Sequence, residues 1–314
     1  MKQDKQPYFK SIVIGAGASG LMCAAHIADD GSVLILEKQS QIAAKVKISG
    51  GGRCNFTNLG VASANYLCAN KHFVKSALAR FTPQDIVKIL QQNHLKFEER
   101  QNGQLFAFSA ADVAGMLWKR CAEKKVKLQT NCEINKVSRV NDIFRIETNC
   151  GVFICENLIV ASGGVSYPKI GATDLGYKIA GQFGHKIINP HPALVGLVAP
   201  AVIRSFFSEL AGISVSVIIT VDKKKICGDL LFTHLGISGP AVLNASLYWQ
   251  SGQKLYIDFL NGHSFEKLAE QQSKKSVSQI LSTVLPAKFA KRLVVGLDCN
   301  IENLSNKNKQ ILND

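Results

Sequence analysis

Gly15-Ala16-Gly17-Ala18-Ser19-Gly20 follows the β-branched run Ser11-Ile12-Val13-Ile14, and a second apolar run, Val33-Leu34-Ile35-Leu36, ends in Glu37-Lys38. Strand, glycine turn, helix, strand and acid in that order make a dinucleotide-binding βαβ unit. Gly15 permits a tight turn off the strand, Gly17 leaves no Cβ in the way of a pyrophosphate, and Gly20 lets the helix lie close to the sheet. The helix that opens at Ala18 and Ser19 aims free N–H groups and a positive dipole end at the phosphates. Glu37 stands 22 residues after Gly15, where a carboxylate accepts hydrogen bonds from both ribose hydroxyls and repels a 2′-phosphate. The expected ligand is FAD or NAD rather than NADP.

Two further runs belong beside that turn. Ser49-Gly50-Gly51-Gly52-Arg53-Cys54-Asn55-Phe56-Thr57-Asn58 joins three glycines to a cation, amides and hydroxyls. The glycines admit a planar ring or a phosphate close to the backbone, and Arg53 could pair bidentately with a pyrophosphate. Residues 50–55 are therefore expected to line the ligand. Cys54 has no neighbouring thiol to resolve a disulfide, so it reads as a small packed residue. Ala161-Ser162-Gly163 ends the apolar run 158–161, which reads as a buried strand, and ligands gather at the carboxyl edge of such strands. Thr173 or Asp174 either joins that site or simply caps the next helix. The glycines from 163 to 176 lack the GxGxxG order, so a nicotinamide cofactor would dock only transiently. No residue presents itself as a catalytic acid or base.

The elements that must hold these residues follow from periodicity. Residues 8–60 form the βαβ unit. Over 71–95 the spacing of Phe73, Val74, Leu78, Ile86, Ile89 and Leu90 predicts two amphipathic helices broken at Thr82-Pro83. Short strands are expected around Gly103, a helix over 111–124, and several strands over 127–160 with turns at Asn141-Asp142 and Asn149-Cys150-Gly151. At Asn189-Pro190-His191-Pro192 the pattern changes from α/β to mostly strands, with a helical tail from Ser264. A boundary near 190 thus separates a dinucleotide-binding domain, 1–190, from a β-rich domain, 191–314.

Composition narrows the classes. With 314 residues and 46% hydrophobic content the chain can bury a large core. No apolar run approaches the ~20 residues of a membrane-spanning helix, and the first ten residues carry no signal-peptide core, so a cytoplasmic protein without a membrane partner is expected. Nine cysteines without a CxxC, and seven histidines without an HExxH, give neither a disulfide framework nor a metal site. The net charge of +14 either marks nucleic-acid binding or simply suits anionic ligands. Lys223-Lys224-Lys225 reads as a solvated hairpin turn, and 8% aromatic content without a basic stripe argues against nucleic acid and for a small-molecule substrate.

Taken together the motifs resemble the BaiN/YhiN-type NAD(P)/FAD-dependent oxidoreductases, also known as the aminoacetone oxidase family of FAD-binding enzymes. The matching strings are GAGASGLMCA from Gly15, LILEK from Leu34, ISGGGRCNFTN from Ile48, ASGGVSYPKIGATDLGYKIA from Ala161, FGHKI from Phe183 and GDLLFTHLGISGPAVLNAS from Gly228. The resemblance implies an α/β fold: a glutathione-reductase-like FAD-binding Rossmann domain interrupted by a β-barrel-like insert from about residue 191. It further implies FAD held by Gly15, Gly17, Gly20, Glu37 and residues 50–55, with hydride passing between NAD(P)H or an organic substrate and an acceptor. Ala43-Ala44 stands where the family has Gly-Arg, and Phe106-Ala107-Phe108 where it has Phe-Pro. The family also returns to its FAD domain after the insert, and this chain is expected to lack that return, which makes a weakly binding remnant one rival reading. A tRNA-modifying flavoprotein, suited by the positive charge, is another.

Overall fold

The computed structural model of the chain describes residues 6–29, 31–270, 272, 274–296, 298–301 and 305. Two compact units divide it, 1–188 and 189–314.

The first unit begins with β1 (Tyr8–Ile14), α1 (Ala18–Ile27) and β2 (Val33–Leu36), then α2 (Ala44–Ile48), β3 (Asn55–Asn58), α3 (Lys75–Arg80) and α4 (Pro83–Gln92). It continues through β4 (Phe97–Glu99), β5 (Gln104–Ala107), α5 (Ala110–Glu123), β6 (Lys127–Gln129), β7 (Ile134–Val140), β8 (Ile143–Thr148), β9 (Gly151–Val160) and α6 (Leu175–Gln182). Its main sheet runs β6-β2-β1-β9-β8-β7, and β3, β5 and β4 form a small sheet of their own. β1 is central and parallel to both neighbours: Ile14 lies beside Leu36 on β2 and beside Val160 on β9. The three carboxyl ends therefore stop level, which is where a Rossmann-type α/β sheet exposes its crevice.

Both faces of β1 are covered, so β1 and β2 read as unbroken apolar runs rather than alternating ones. Val13 and Ile35 face Leu21, Ala24, Val113, Leu117 and Cys121 from α1 and α5. Ile12, Ile14, Leu34 and Leu36 face Val137, Ile146, Cys155 and Ile179 on the other side. Burying a single Ile or Leu side chain this way contributes about 1.5–3 kcal/mol. α4 starts with a reciprocal cap: Thr82 accepts from the Asp85 N–H while the Asp85 carboxylate accepts from the Thr82 N–H and hydroxyl. Those hydrogen bonds hold the Asp85 carboxyl below its ordinary range.

Two expectations are corrected. The run 158–161 is not a buried strand: Leu158, Ile159 and Ala161 are half-buried and Val160 is 41% exposed. β8 pairs only with residues 151–155 of β9, so the rest of that strand has β1 on one side and no partner on the other among the described residues. Phe73 does not join an amphipathic face either; it is 75% exposed and precedes α3, which is only six residues long.

The second unit comprises β10 (Leu197–Val198), α7 (Arg204–Glu209), β11 (Ser214–Val221), β12 (Lys224–Thr233), β13 (Gly236–Ser238), α8 (Pro240–Ala245), β14 (Tyr256–Asp258), α9 (Phe265–Ala269), α10 (Val277–Leu281) and α11 (Ala287–Leu293). The barrel-like expectation takes the form of an open antiparallel sheet, β10-β13-β12-β11-β14. Val215, Val217, Ile219 and Val221 alternate inward along β11 and pack with Phe232, Phe265, Ile280 and Phe289. Lys223 lies in the β11–β12 turn, with Lys224 and Lys225 opening β12 opposite Val221 and Thr220.

Candidate functional site

At the carboxyl ends of β1, β2 and β9 the surface opens into two adjoining cavities of about 350 and 340 Å³. Gly15, Glu37, Ser162 and Gly171 line both. Each volume lies in the range of small-molecule sites.

The glycine turn shows why each glycine is there. Gly15 has φ +102°, and a Cβ on it would lie 2.6 Å from the Ala161 carbonyl oxygen. A Cβ on Gly20 would lie 1.9 Å from the Gly15 carbonyl oxygen, so this glycine lets the helix close on the turn itself rather than on the sheet. A Cβ on Gly17 would meet no atom within 4 Å. Gly17 is also the N-cap of α1, and among the described residues no side chain caps that helix. The fold needs small residues at 15 and 20; at 17 it leaves open space in front of the first N–H groups of α1.

Glu37 faces this turn across the cleft. Its Oε2 accepts the Ala16 N–H at 2.7 Å and its Oε1 accepts the Gln39 N–H at 2.8 Å. The carboxylate thus holds the loop in place while retaining lone pairs for a ligand. Lys38, beside it, is paired with Glu133 at 2.8 Å. Ala161, Ser162 and Gly163 form the facing wall with Ala18 and Ser19. The Ser162 Oγ is buried and has no hydrogen-bond partner among the described residues, and a Cβ on Gly176 would come within 2.8 Å of it. Asp174 pairs with Lys178 at 3.0 Å and Thr173 accepts the Leu175 N–H; both residues line the cleft.

The second glycine loop is built differently from its expected role. Gly50, Gly51 and Gly52 all take positive φ, and a Cβ on Gly51 or Gly52 would meet nothing within 4 Å. Neither they nor Arg53, Cys54 and Asn55 line the cleft. Arg53 instead pairs with Glu98 on β4 at 3.2 Å, and Glu98 also holds Arg100 at 2.6 Å. Asn55 opens β3 opposite Phe106. Cys54 is buried, and burial pushes its thiol above the ordinary range.

Several lining residues carried no sequence signal of their own. Gln39, Gln41 and Lys45 border the glycine turn, and Cys132, Glu133 and Asn135 border the Glu37 end. Lys45 donates to the Gly164 carbonyl at 3.3 Å, tying α2 to the loop after β9. A Cβ on Gly171 would collide with the Gln39 side chain at 2.1 Å. Ala43, before α2, is left-handed at φ 57°, so the glycine usual at that position in the resembling family has a steric reason. Among the described residues no group of three or more His, Cys, Asp or Glu could hold a metal, and no helix is long and apolar enough to cross a membrane.

A profile of the HI0933-like protein Rossmann domain matches residues 9–281 of this chain. A ribosomal RNA dihydrouridine synthase of Haemophilus influenzae is 42% identical over 294 residues, spanning 91% of this chain and 73% of its own length. A protein of the same name from Escherichia coli is 37% identical over 317 residues, spanning 97% and 78%. The 3-dehydro-bile acid delta(4,6)-reductase of Clostridium scindens is 27% identical over 305 residues, spanning 90% and 74%.

Proposed function

The chain belongs to the HI0933-like Rossmann family, and we propose that it is an FAD-dependent reductase of a carbon–carbon double bond conjugated to a carbonyl group. The observation that carries the FAD part of this reading is the geometry at Gly17, where space opens before the N-terminus of α1 with the Glu37 carboxylate across the cleft. That arrangement fits a pyrophosphate and ribose. Gly15, Gly17, Ala18 and Ser19 would hold the phosphates, with Gly20 letting α1 close on the turn, Glu37 would hold the ribose, and Ala161, Ser162 and Gly163 would form the far wall. Lys38 would add positive charge at the ribose end, and residues 50–55 are the loop proposed to approach the ring. When bound, FAD supplies a two-electron carrier that can take hydride from NAD(P)H and deliver it to an electron-poor double bond.

The reaction class follows from chemistry common to the relatives' names. Dihydrouridine is uridine with its ring double bond reduced, and that bond is conjugated to a carbonyl. The bile acid reductase is named for the same kind of bond. Among substrates of this class we favour uridine in ribosomal RNA over a free small molecule. The two relatives at 42% and 37% identity support it, as does the net charge of +14. The small-molecule substrate expected from composition, with BaiN-type reduction, is its rival.

Purified protein should be yellow, or become so on adding FAD. With NADPH or NADH it should raise the dihydrouridine content of ribosomal RNA from a strain lacking the gene, measured by mass spectrometry of digested nucleosides. Turnover of a steroid dienone with none of RNA would favour the bile-acid-type reading; no flavin binding at all would overturn both.

A further inference from the structure

Between β3 and α4 the chain makes an excursion over residues 59–82, and every residue from 64 to 73 is exposed. Its rings face water: Phe73 is 75% exposed, Tyr66 45% and Phe81 40%. Scattered exposed apolar side chains are ordinary, but several on one short segment mark a contact surface. The charge of the region is one-sided. From residue 38 to residue 84 the sequence holds seven Lys and Arg and not one Asp or Glu. Lys71, Lys75 and Arg80 are exposed and alternate with the rings along the sequence, and among the described residues no ion pair holds any of them.

Open aromatic faces interleaved with cations, and no carboxylate, are the chemistry of single-stranded nucleic acid binding: bases stack on the rings while phosphates meet the cations. A second copy of this chain, docked through the same face, would set cation against cation. We propose that residues 64–81 are a docking surface for single-stranded RNA, with Tyr66, Phe73 and Phe81 as stacking platforms and Lys71, Lys75 and Arg80 as phosphate contacts. The inference rests on RNA being the substrate. It assigns recognition to a part of the first unit that follows the glycine loop and β3 in the chain and contributes no residue to the cleft.

The test is binding of a fluorescein-labelled oligouridylate to the full chain, followed by anisotropy across a salt series. Phe73→Ala should weaken binding about tenfold, the loss of one stacked base. The triple change Lys71→Gln, Lys75→Gln and Arg80→Gln should flatten the slope of log K against log salt by about 2. Both variants should keep the far-ultraviolet circular dichroism and flavin content of the parent. Photocrosslinking with 4-thiouridine RNA should label peptides within 64–81, and this result stands even if a variant misfolds. If the parent binds RNA but the variants match it, or the crosslinks fall elsewhere, the surface is wrong while the RNA reading survives. A parent that binds no RNA at low salt overturns both. A dimer that Phe73→Ala dissociates would give the surface to a second copy and end the proposal.

Discussion

Glu37 and Ala16 are joined across the mouth of the sheet: the Glu37 Oε2 accepts the Ala16 N–H at 2.7 Å. A residue expected to serve only a ligand therefore also fixes the shape of the loop. Glu37→Ala should lower FAD affinity and also reduce unfolding free energy by about 1.5–3 kcal/mol, the range for hydrogen bonds to a charged group. Urea titration with and without FAD separates the two losses. Unchanged stability in the absence of FAD would show that the brace contributes nothing.

Gly17 and Gly20 should part company on substitution. Gly17→Ala meets no protein atom, so the variant should fold with at most about 1 kcal/mol lost at the cap and yet copurify with less flavin. Gly20→Ala places a Cβ 1.9 Å from the Gly15 carbonyl oxygen and should cost about 3 kcal/mol through forced movement of the turn. Thermal denaturation and flavin absorbance distinguish the pair. Equal stability of the two variants would contradict the assignment.

His94 ends α4 in the left-handed conformation at φ 56°. Its N–H donates to the Gln91 carbonyl and the Leu95 N–H to the Leu90 carbonyl, the pairing of a Schellman cap that glycine suits best. His94 is exposed, so His94→Gly removes steric strain without opening a cavity and should raise stability by about 1 kcal/mol. A lower denaturation midpoint would refute this.

Burial pushes the thiols of Cys121, Cys132 and Cys155 up to about 11, from an ordinary 9.0. The folded chain therefore holds these protons more tightly than the unfolded one. Their contribution to stability is complete below pH 9 and is lost as the pH rises toward 11. At pH 8 iodoacetamide should label the exposed Cys68, Cys150 and Cys227 and spare these three until the chain unfolds. Peptide mass mapping checks the pattern, and early labelling of Cys121 would disprove it.

What could be read from the sequence was local. The turn at Gly15–Gly20 and the break at Thr82-Pro83 are each specified by residues within a few positions, because backbone conformation and capping act at that range. What escaped depends on distant partners. Arg53 meets Glu98, 45 positions away, and no spacing rule connects them. The exposure of Val160 depends on where β8 stops pairing, and that of Phe73 on a helix too short to bury it. The sequence points to Gly15, Gly17 and Glu37, which border the cleft, whereas Gln39 and Lys45 enter it through tertiary approach alone.

The position of β1 between β2 and β9 also sets a clock. Tyr8 pairs with Ile154 and Ile14 with Val160, a separation of 146 residues in the chain. At ribosomal rates of roughly 5–20 residues per second, β1 and β2 leave the tunnel on the order of 10 s before β9 exists to meet them. During that interval β1 has β2 on one side and an open edge on the other, and the far wall of the cleft has not been made. Nascent chains of this protein should therefore depend on chaperone shielding of residues 8–36, and slow codons placed before β9 should lengthen that dependence.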